Sequence, residues 1–550
     1  MKTRYLLIPF ACGLALTLTL LWILESHAAP AQATLDVIEE PDNDVSVSAL
    51  ADELHVCPSG CTYSSVQDAV DDANTDDIIK VATGTYTDLH TIKLEGKTIT
   101  QVVCLRKTVT IRGGYTTTNW TTSDPDANPT TLDARGQSRV FYIASDIAPV
   151  IEGLRITGGN ASGEEGGGVY GAGAAVTFRD NKVFSNTADS GGGLYLRAGE
   201  VVLNGNTIYS NTASRGGGMY LIDCSDELGD ATLEGNIFTS NTATGRGGGL
   251  LLLRSDETTL SNNVVAANVA ADGGGLFIDD SNATLTNNIV ADNQASGAGS
   301  GLYINTSAPR LLHTTITRNS GNNGVYVTGN SDSELINTIL TSHTVGINVA
   351  TGNVATLDAT LWYANTSDDW VGNVVHTNNR SGNPDFVAPG AGDYHINHKS
   401  AAIDRGVDAG VNVDMDGDGR PWGNTYDIGA DEFPSLLSVI QQASPVPARA
   451  GESLVYTVAV VNFSTDITFT ATITDTLPDH VAPTGVLTWT SVVIPAESSW
   501  TRQIIVTVDA DYSGMLTNTV EITTTEGIAS TASLVVGCYV IYLPLVFCNY

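Results

Sequence analysis

Three sets of residues in this chain have types and spacings suited to chemistry. The first is acidic. Asp223, Asp226, Glu227, Asp256, Glu257, Asp279 and Asp280 follow successive copies of a "GLYL"-like stretch, with Arg197 and Arg254 in the same turns. Carboxylates converging from adjacent turns would act as general acid and base. Asp223, Asp256, Asp279, Asp280 and Arg254 are the candidate catalytic residues from this set. A solvated charged turn in a chain acidic throughout is the competing reading. The second set is aromatic. In "GLYL" the outer residues point inward, so the middle one points out. That position is Tyr170, Tyr195, Tyr220, Leu251, Phe277, Tyr303 and Tyr326 in turn. Rings about 4.8 Å apart would take the flat faces of sugars, which makes the six aromatic residues candidate carbohydrate-binding groups; stacking that only stabilises the fold competes. The third set is Asp414, Asp416 and Asp418 in "DMDGDG". Alternate carboxylates suit the oxygen coordination of calcium. The twelfth position of this stretch is Thr425 rather than Glu, leaving Asp427, Asp431 or Glu432 to complete a site. A plain acidic turn competes here too, and a calcium ion at the end of the repeats would be structural.

Other motifs carry less. Ser190 in "ADSGGG" aligns with Arg215, Arg246 and Asp272 of sister repeats, which removes a serine-nucleophile reading. His395 and His398 in "HINH" lack the partner pattern of a zinc helix.

The elements that position these residues are set by a repeat. "SNTADSGGGLYL", "SNTASRGGGMYL", "SNTATGRGGGLLL", "ANVAADGGGLFI" and "DNQASGAGSGLYI" align, and Leu194, Met219, Leu250, Leu276 and Leu302 follow their triplets in steps of 25, 31, 26 and 26. Asn186, Asn211, Asn241, Asn268, Asn293 and Asn319 run in phase; a second series, Asn181, Asn206, Asn236, Asn263 and Asn288, sits five residues upstream. Each unit holds three short alternating runs, such as "GLYL", "EVVLNG" and "TIYSN". It is too rich in Gly, Asn and Thr for paired helices and too short for a propeller blade of about 40 residues. The prediction is all-β: a right-handed parallel β-helix of three strands per turn. Inward Leu, Val and Ile would fill the core, asparagines would ladder at the corners, and glycine would supply backbone angles that other residues resist. Ser64 or Ser65 predicts the N-cap of a helix with Val66, Ala69, Val70 and Ala73 on one face. From 435 to 537 the pattern turns to period two, as in "SLVYTVAVVN", predicting a β-sandwich.

The 550 residues carry a net charge of −35, with 25 Lys plus Arg against 60 Asp plus Glu, which argues against nucleic acid and anionic membrane surfaces as partners. Lys2 and Arg4, the apolar run Leu6–Leu24 and the small residues near Ala28 read as an export signal over 1–28; a run of this length would also serve as an uncleaved anchor. Residues 29–54 read as an acidic linker, 55–433 as the β-helix with its capping helix, 435–537 as the sandwich, and 538–550 as an apolar tail too short to span a bilayer. After loss of Cys12, six cysteines remain, an even set that fits an oxidising compartment. Cys57 and Cys61 would close a small loop, and Cys538 and Cys548 would pair across the tail.

"CTYSSVQDAVDDANTDDIIKVATGTYTD", "TVTIRGGY" and "IEGLRITGG", with the repeats, resemble pectin-lyase-like β-helix proteins over residues 55–433. "DMDGDGRPWGNTYDIGADE" resembles the closing motif of choice-of-anchor Q surface proteins, and "YTVAVVN" with "DTLP" resembles an immunoglobulin-like bacterial surface module. The resemblance implies a secreted or cell-surface protein with a binding or structural role, in adhesion, envelope association or polysaccharide recognition. The rival it implies is a polysaccharide lyase or glycoside hydrolase, though the hydrolase signatures and a clear lyase arginine motif are missing. The expected partner is a polysaccharide or a cell-envelope component. The oligomeric state does not follow from the sequence.

Overall fold

The computed structural model describes residues 51–539, apart from 95, 226, 227, 424, 434, 435, 465, 466, 526 and 527. The expected export signal, most of the acidic linker, Asp226, Glu227, Cys548 and nearly all of the apolar tail lie outside the described residues.

The coil opens earlier than the sequence reading placed it. Glu53–Val56 is already a strand, paired in parallel with Ile78–Val81, because the inward Val56 joins the core. Helix α1 (Val66–Asp72) follows, its first turn capped by Ser65 Oγ, which accepts from the Asp68 backbone N–H. The helix seats Val66, Ala69 and Val70 on the core. Gln67 meets the edge of the coil: its Oε1 accepts from Cys104 N at 2.6 Å and its Nε2 donates to Cys104 O at 3.3 Å. An open strand edge is thereby satisfied rather than left to recruit another chain.

Three long sheets wind about the core, here named A, B and C, with thirteen, twelve and twelve strands, all paired in parallel except His90–Leu94, which lies antiparallel at the start of sheet C. One turn shows the pattern: Leu194–Arg197 in sheet C, Val201–Asn204 in sheet A and Thr207–Tyr209 in sheet B. Leu194, Leu196, Val201, Leu203 and Ile208 all point into the same buried column. The middle turns also carry a fourth short strand, forming a six-stranded sheet D from Asn160–Glu165 to Gln294–Ala295. The sequence reading had three strands per turn. The stretch between asparagine and glycine triplet is long enough to lie extended and pair with its copy one turn on, with Ala188, Ala213 and Ala243 tucked inward.

Both asparagine series form buried ladders. Asn206 Oδ1 accepts from the backbone N–H and the amide of Asn181, both at 3.0 Å, while its own amide donates to Asn236 Oδ1 at 2.9 Å and Phe178 O at 3.0 Å. Each side chain thus satisfies the backbone where the chain bends between sheets. His343 succeeds Asn319 in the ladder that begins at Asn186, its Nε2 3.3 Å from the Asn319 amide. Burial pushes His343 down to about 4, so the ring is neutral at its place in the stack. The glycine corners are enforced sterically. Gly191 has φ +64, and a Cβ there would lie 2.3 Å from Leu194 O; a Cβ on Gly192 would meet carbonyls of the next turn at 2.6 Å.

The end of the coil turns back on itself. The segment from 386 to 433 packs Ile396, Ala402 and Ile428 against Ile339, Ala359 and Leu361, and Tyr394 and Ala430 against Ile289 and Ala291. Ile289, Ile339 and Leu361 share one outward position of sheet B whose register equivalents in the earliest turns are Lys182 and Thr207. Polar bonds fix the fold-back: Asn337 donates to Val407 O at 2.7 Å and accepts from Val407 N at 2.8 Å, and Ala430 N donates to Thr315 Oγ1 at 3.1 Å.

Residues 437–539 form a four-stranded and a five-stranded sheet, paired almost entirely antiparallel. Tyr456, Val458, Val460, Phe469, Ile473, Val506, Val520 and Ile522 share one core. The arrangement is compatible with an immunoglobulin-like module. Its last strand, Ala529–Tyr539, runs past the expected boundary at 537, so Cys538 belongs to the module. Cys57 and Cys61 are disulfide-bonded, with Cα atoms 5.6 Å apart, whereas Cys104, Cys224 and Cys538 are buried free thiols among the described residues.

Candidate functional site

The outer face of sheet C carries the aromatic column in the expected register, from Tyr170 through Tyr195, Tyr220, Leu251, Phe277 and Tyr303 to Tyr326, with Tyr142 extending it at the start. The rings do not lie open. Tyr170 and Tyr195 stack with planes 2° apart at 5.6 Å, and Phe277 and Tyr303 stack at 4.5 Å. Tyr195, Tyr220 and Phe277 are 8%, 5% and 2% exposed. The physical reason is the strand spacing itself: rings rising by about 4.8 Å per turn pack on their neighbours, face to face from Tyr142 through Tyr195 and at Phe277–Tyr303, and edge to face at Tyr195–Tyr220. The sugar-stacking surface expected from Tyr170, Tyr195, Tyr220, Phe277, Tyr303 and Tyr326 is therefore mostly a packing ladder, with half-buried rings only at Tyr170, Tyr303 and Tyr326.

What lies over the column is arginine. The Arg139 guanidinium sits 5.2 Å from the Tyr170 ring and that of Arg246 sits 5.0 Å from Phe277, within cation–π range. Arg215 and Arg246 are register neighbours just before their glycine triplets. Arg197 and Arg254 flank the column at the other end of the strands. Arg197, Arg215, Arg246 and Arg254 keep half or more of their side chains exposed (54%, 53%, 55% and 50%). The sequence reading had marked only Arg197 and Arg254; the residue before the triplet varies among Ser, Arg and Asp, so the row became visible only in register.

Three of the four candidate catalytic carboxylates, Asp223, Asp256 and Asp279, are held by hydrogen bonds. Asp223 Oδ1 accepts from Arg254 Nε at 2.8 Å and Oδ2 from Arg197 Nε at 2.9 Å. Asp279 Oδ1 accepts from the Asn305 amide at 2.5 Å, with Arg246 3.8 Å from Oδ2. Asp256 Oδ1 accepts from Asn282 N at 2.8 Å, and Asp280 occupies a left-handed turn position with φ +50. The turns bring Asp223 to arginine rather than to a second acid.

At the fold-back, the expected ligand triplet Asp414, Asp416 and Asp418 separates. Asp414 is fully buried and spends its carboxylate on backbone: Oδ1 accepts from Asp416 N and Asp418 N, both at 2.9 Å, and Oδ2 from Glu432 N at 3.0 Å. It is the organiser of the loop. Asp416 turns instead to His395, whose Nε2 lies 2.7 Å from Asp416 Oδ2. His395, declined on sequence grounds, is the residue that pattern reading missed; only the fold-back brings it beside a loop twenty-one residues later. Burial works against its charged form, but hydrogen bonds to Asp393 and Asp416 outweigh it and raise His395 to about 9. Burial also raises Asp431 to about 6, against the hydrogen bond from Ile396 N. Below this site Arg420, fully enclosed, pairs with Glu432 at 2.7 Å and donates to Gly429 O and Ala430 O.

A cleft of about 460 Å³ lies against sheets A and B early in the coil, lined by Pro125, Asp126, Glu152, Arg155, Asp180 and Lys182 among others. Lys182 and Asp126 close part of it at 2.7 Å. Burial raises the Asp180 carboxyl, and the charge of Glu152 adds to the rise.

Among the described residues, no helix is long and apolar enough to cross a membrane. A family model described as "Right handed beta helix region" matches residues 140–265 and 214–361. No curated protein matches the chain. The matched turns are those that carry both asparagine ladders and the arginine-covered aromatic column, and this part of the chain is a right-handed parallel β-helix.

Proposed function

We propose that this protein is an extracellular, non-catalytic β-helix that recognises a polysaccharide along the outer face of sheet C. One observation carries the reading: in a chain with 25 basic and 60 acidic residues, Arg197, Arg215, Arg246 and Arg254 gather, half exposed, around one column of strands. Guanidinium forks suit the carboxylate or sulfate groups of an acidic polymer. Arg215 and Arg246 rise by about 4.8 Å per turn on a base of stacked rings, a rigid and repetitive surface. Asp223 and Asp279, held by arginine and asparagine, set guanidinium orientation in this reading rather than move protons.

The test is retention of the purified full chain on immobilised polygalacturonate, alginate, a sulfated glycan and neutral glucans, with released reducing ends and unsaturated uronates followed in parallel. The expected result is salt-sensitive retention on an acidic polymer, lost in Arg215→Glu/Arg246→Glu, with no product. Product formation abolished by Asp279→Asn would replace this reading with the lyase or hydrolase one. No retention on any polymer would leave the coil as a structural support.

A further inference from the structure

The fold-back holds a mixed nitrogen and oxygen cluster that the arginine face does not involve. His395, Asp416 and Asp431 each offer a ligand-type atom, all within 4.8 Å of one another. They come from three separate stretches: the strand Asp393–Ile396, the loop built on Asp414, and the turn closing at Asp431. Two further contacts make this more than a patch of acids. His395 Nδ1 is held by Asp393 Oδ1 at 2.6 Å, which leaves Nε2 as the ring atom presented to Asp416 and Asp431. A carboxylate on the far nitrogen of a ligating histidine is the arrangement that fixes the ring and strengthens it as a donor. Asp431 is only 7% exposed, and the Ile396 backbone N–H holds its Oδ2 at 2.7 Å, so one carboxylate is placed in advance.

We propose that His395, Asp416 and Asp431 bind a single divalent transition-type cation, of the zinc or manganese class, which ties together the three stretches of the C-terminal fold-back that covers the outer face of sheet B. The donor set decides the class. Calcium takes six to eight oxygens and no imidazole, and the one carboxylate pointing most deeply into this loop, Asp414, is consumed by three backbone N–H groups. One imidazole nitrogen with two carboxylates, the rest of the shell water, suits zinc or manganese. Three acidic groups, Asp393, Asp416 and Asp431, surround one imidazole, so even a protonated ring leaves the cluster with excess negative charge. A dication removes that excess as it displaces the ring's proton from between His395 and Asp416. The consequence is mechanical: the three joined stretches belong to the segment that covers Ile289, Ile339 and Leu361.

The experiment is calorimetric titration of the tag-free full chain, stripped with chelator, using zinc, manganese and calcium chlorides in two buffers of different ionisation enthalpy, with thermal unfolding followed alongside. The expected result is one equivalent of zinc or manganese bound with proton release, a raised melting temperature, and at least a hundredfold weaker binding in His395→Ala and in Asp416→Asn. Asp393→Asn should weaken binding by about tenfold to a hundredfold, while Asp418→Asn should leave it unchanged. Circular dichroism of each variant separates lost binding from lost fold, and Asp416→Asn, on an exposed loop, keeps the test open if His395→Ala unfolds. Absence of binding by wild type, binding indifferent to His395→Ala and Asp416→Asn, or a preference for calcium that Asp418→Asn removes would each overturn the proposal.

Discussion

Replacing Asn211 by alanine tests whether the ladders hold the coil together. Asn211 is fully buried. Its Oδ1 accepts from the backbone and amide N–H groups of Asn186, both at 3.1 Å, and its Nδ2 donates to Val183 O at 2.9 Å and Asn241 Oδ1 at 3.0 Å. Truncation strands two N–H donors of Asn186 and removes one bond to the Val183 carbonyl, whereas Asn241 Oδ1 keeps the Asn211 backbone N–H at 3.0 Å. Each buried group left unsatisfied costs about 1–3 kcal/mol, so the expected loss from the two stranded donors is about 2–6 kcal/mol, the lower end applying where water reaches the gap. Because a solenoid is stabilised turn by turn, the loss is local. Hydrogen exchange should accelerate in peptides spanning 181–241, and the urea midpoint should fall. The control is Asn204→Ala, on an exposed side chain bonded to Glu234 at 3.1 Å, expected within about 0.5 kcal/mol of wild type. Asn211→Asp keeps the acceptor but removes both amide donations and buries a charge, so it should fare no better than alanine. An Asn211→Ala protein within about 1 kcal/mol of wild type, with unchanged urea slope and unchanged exchange, would refute the claim that the ladder is an energetic element of the coil.

Two further outcomes follow from the same structure. Gly192→Ala should unfold its turn, because the new Cβ would sit 2.6 Å from backbone carbonyls of the next turn, whereas Gly136→Ala, with φ +72 and open space around it, should lose only about 1 kcal/mol to left-handed strain; equal melting temperatures for the two variants would show that the corners are not sterically closed. In the sandwich, burial raises the fully enclosed Asp475 carboxyl above the ordinary aspartate value, with Asn518 opposing the shift. Its contribution is therefore full below the ordinary aspartate range and is lost as pH climbs through the raised value, so Asp475→Asn should match wild type in urea at pH 3 and exceed it at pH 7; a variant weaker than wild type at pH 7 would contradict this.

The fold was legible wherever the sequence repeats. Steps of 25 to 31 residues, glycine triplets and in-phase asparagines dictate a parallel coil because each residue type meets its own kind one turn away, a rule that needs no knowledge of distant contacts. A helix cap at Ser64 or Ser65 was legible for the same local reason, and the structure assigns it to Ser65. The fourth strand in sheet D was not, since "TAS" has no strong pattern of its own and is extended only because its copy lies beside it. The sites depended still more on tertiary structure. Strand alternation placed Tyr195 and Phe277 on the outside but could not say whether their flat faces met solvent or the next ring; the spacing between turns decided that. Alternating aspartates in "DMDGDG" suggested one ligand group, yet the loop's own backbone claimed Asp414, and the fold-back handed Asp416 to His395. Periodicity fixes what each residue faces within its turn. Which chain segment returns to cover or complete that face is set by apolar burial over long sequence separation, here by Ile289, Ile339 and Leu361 drawing the final segment over sheet B.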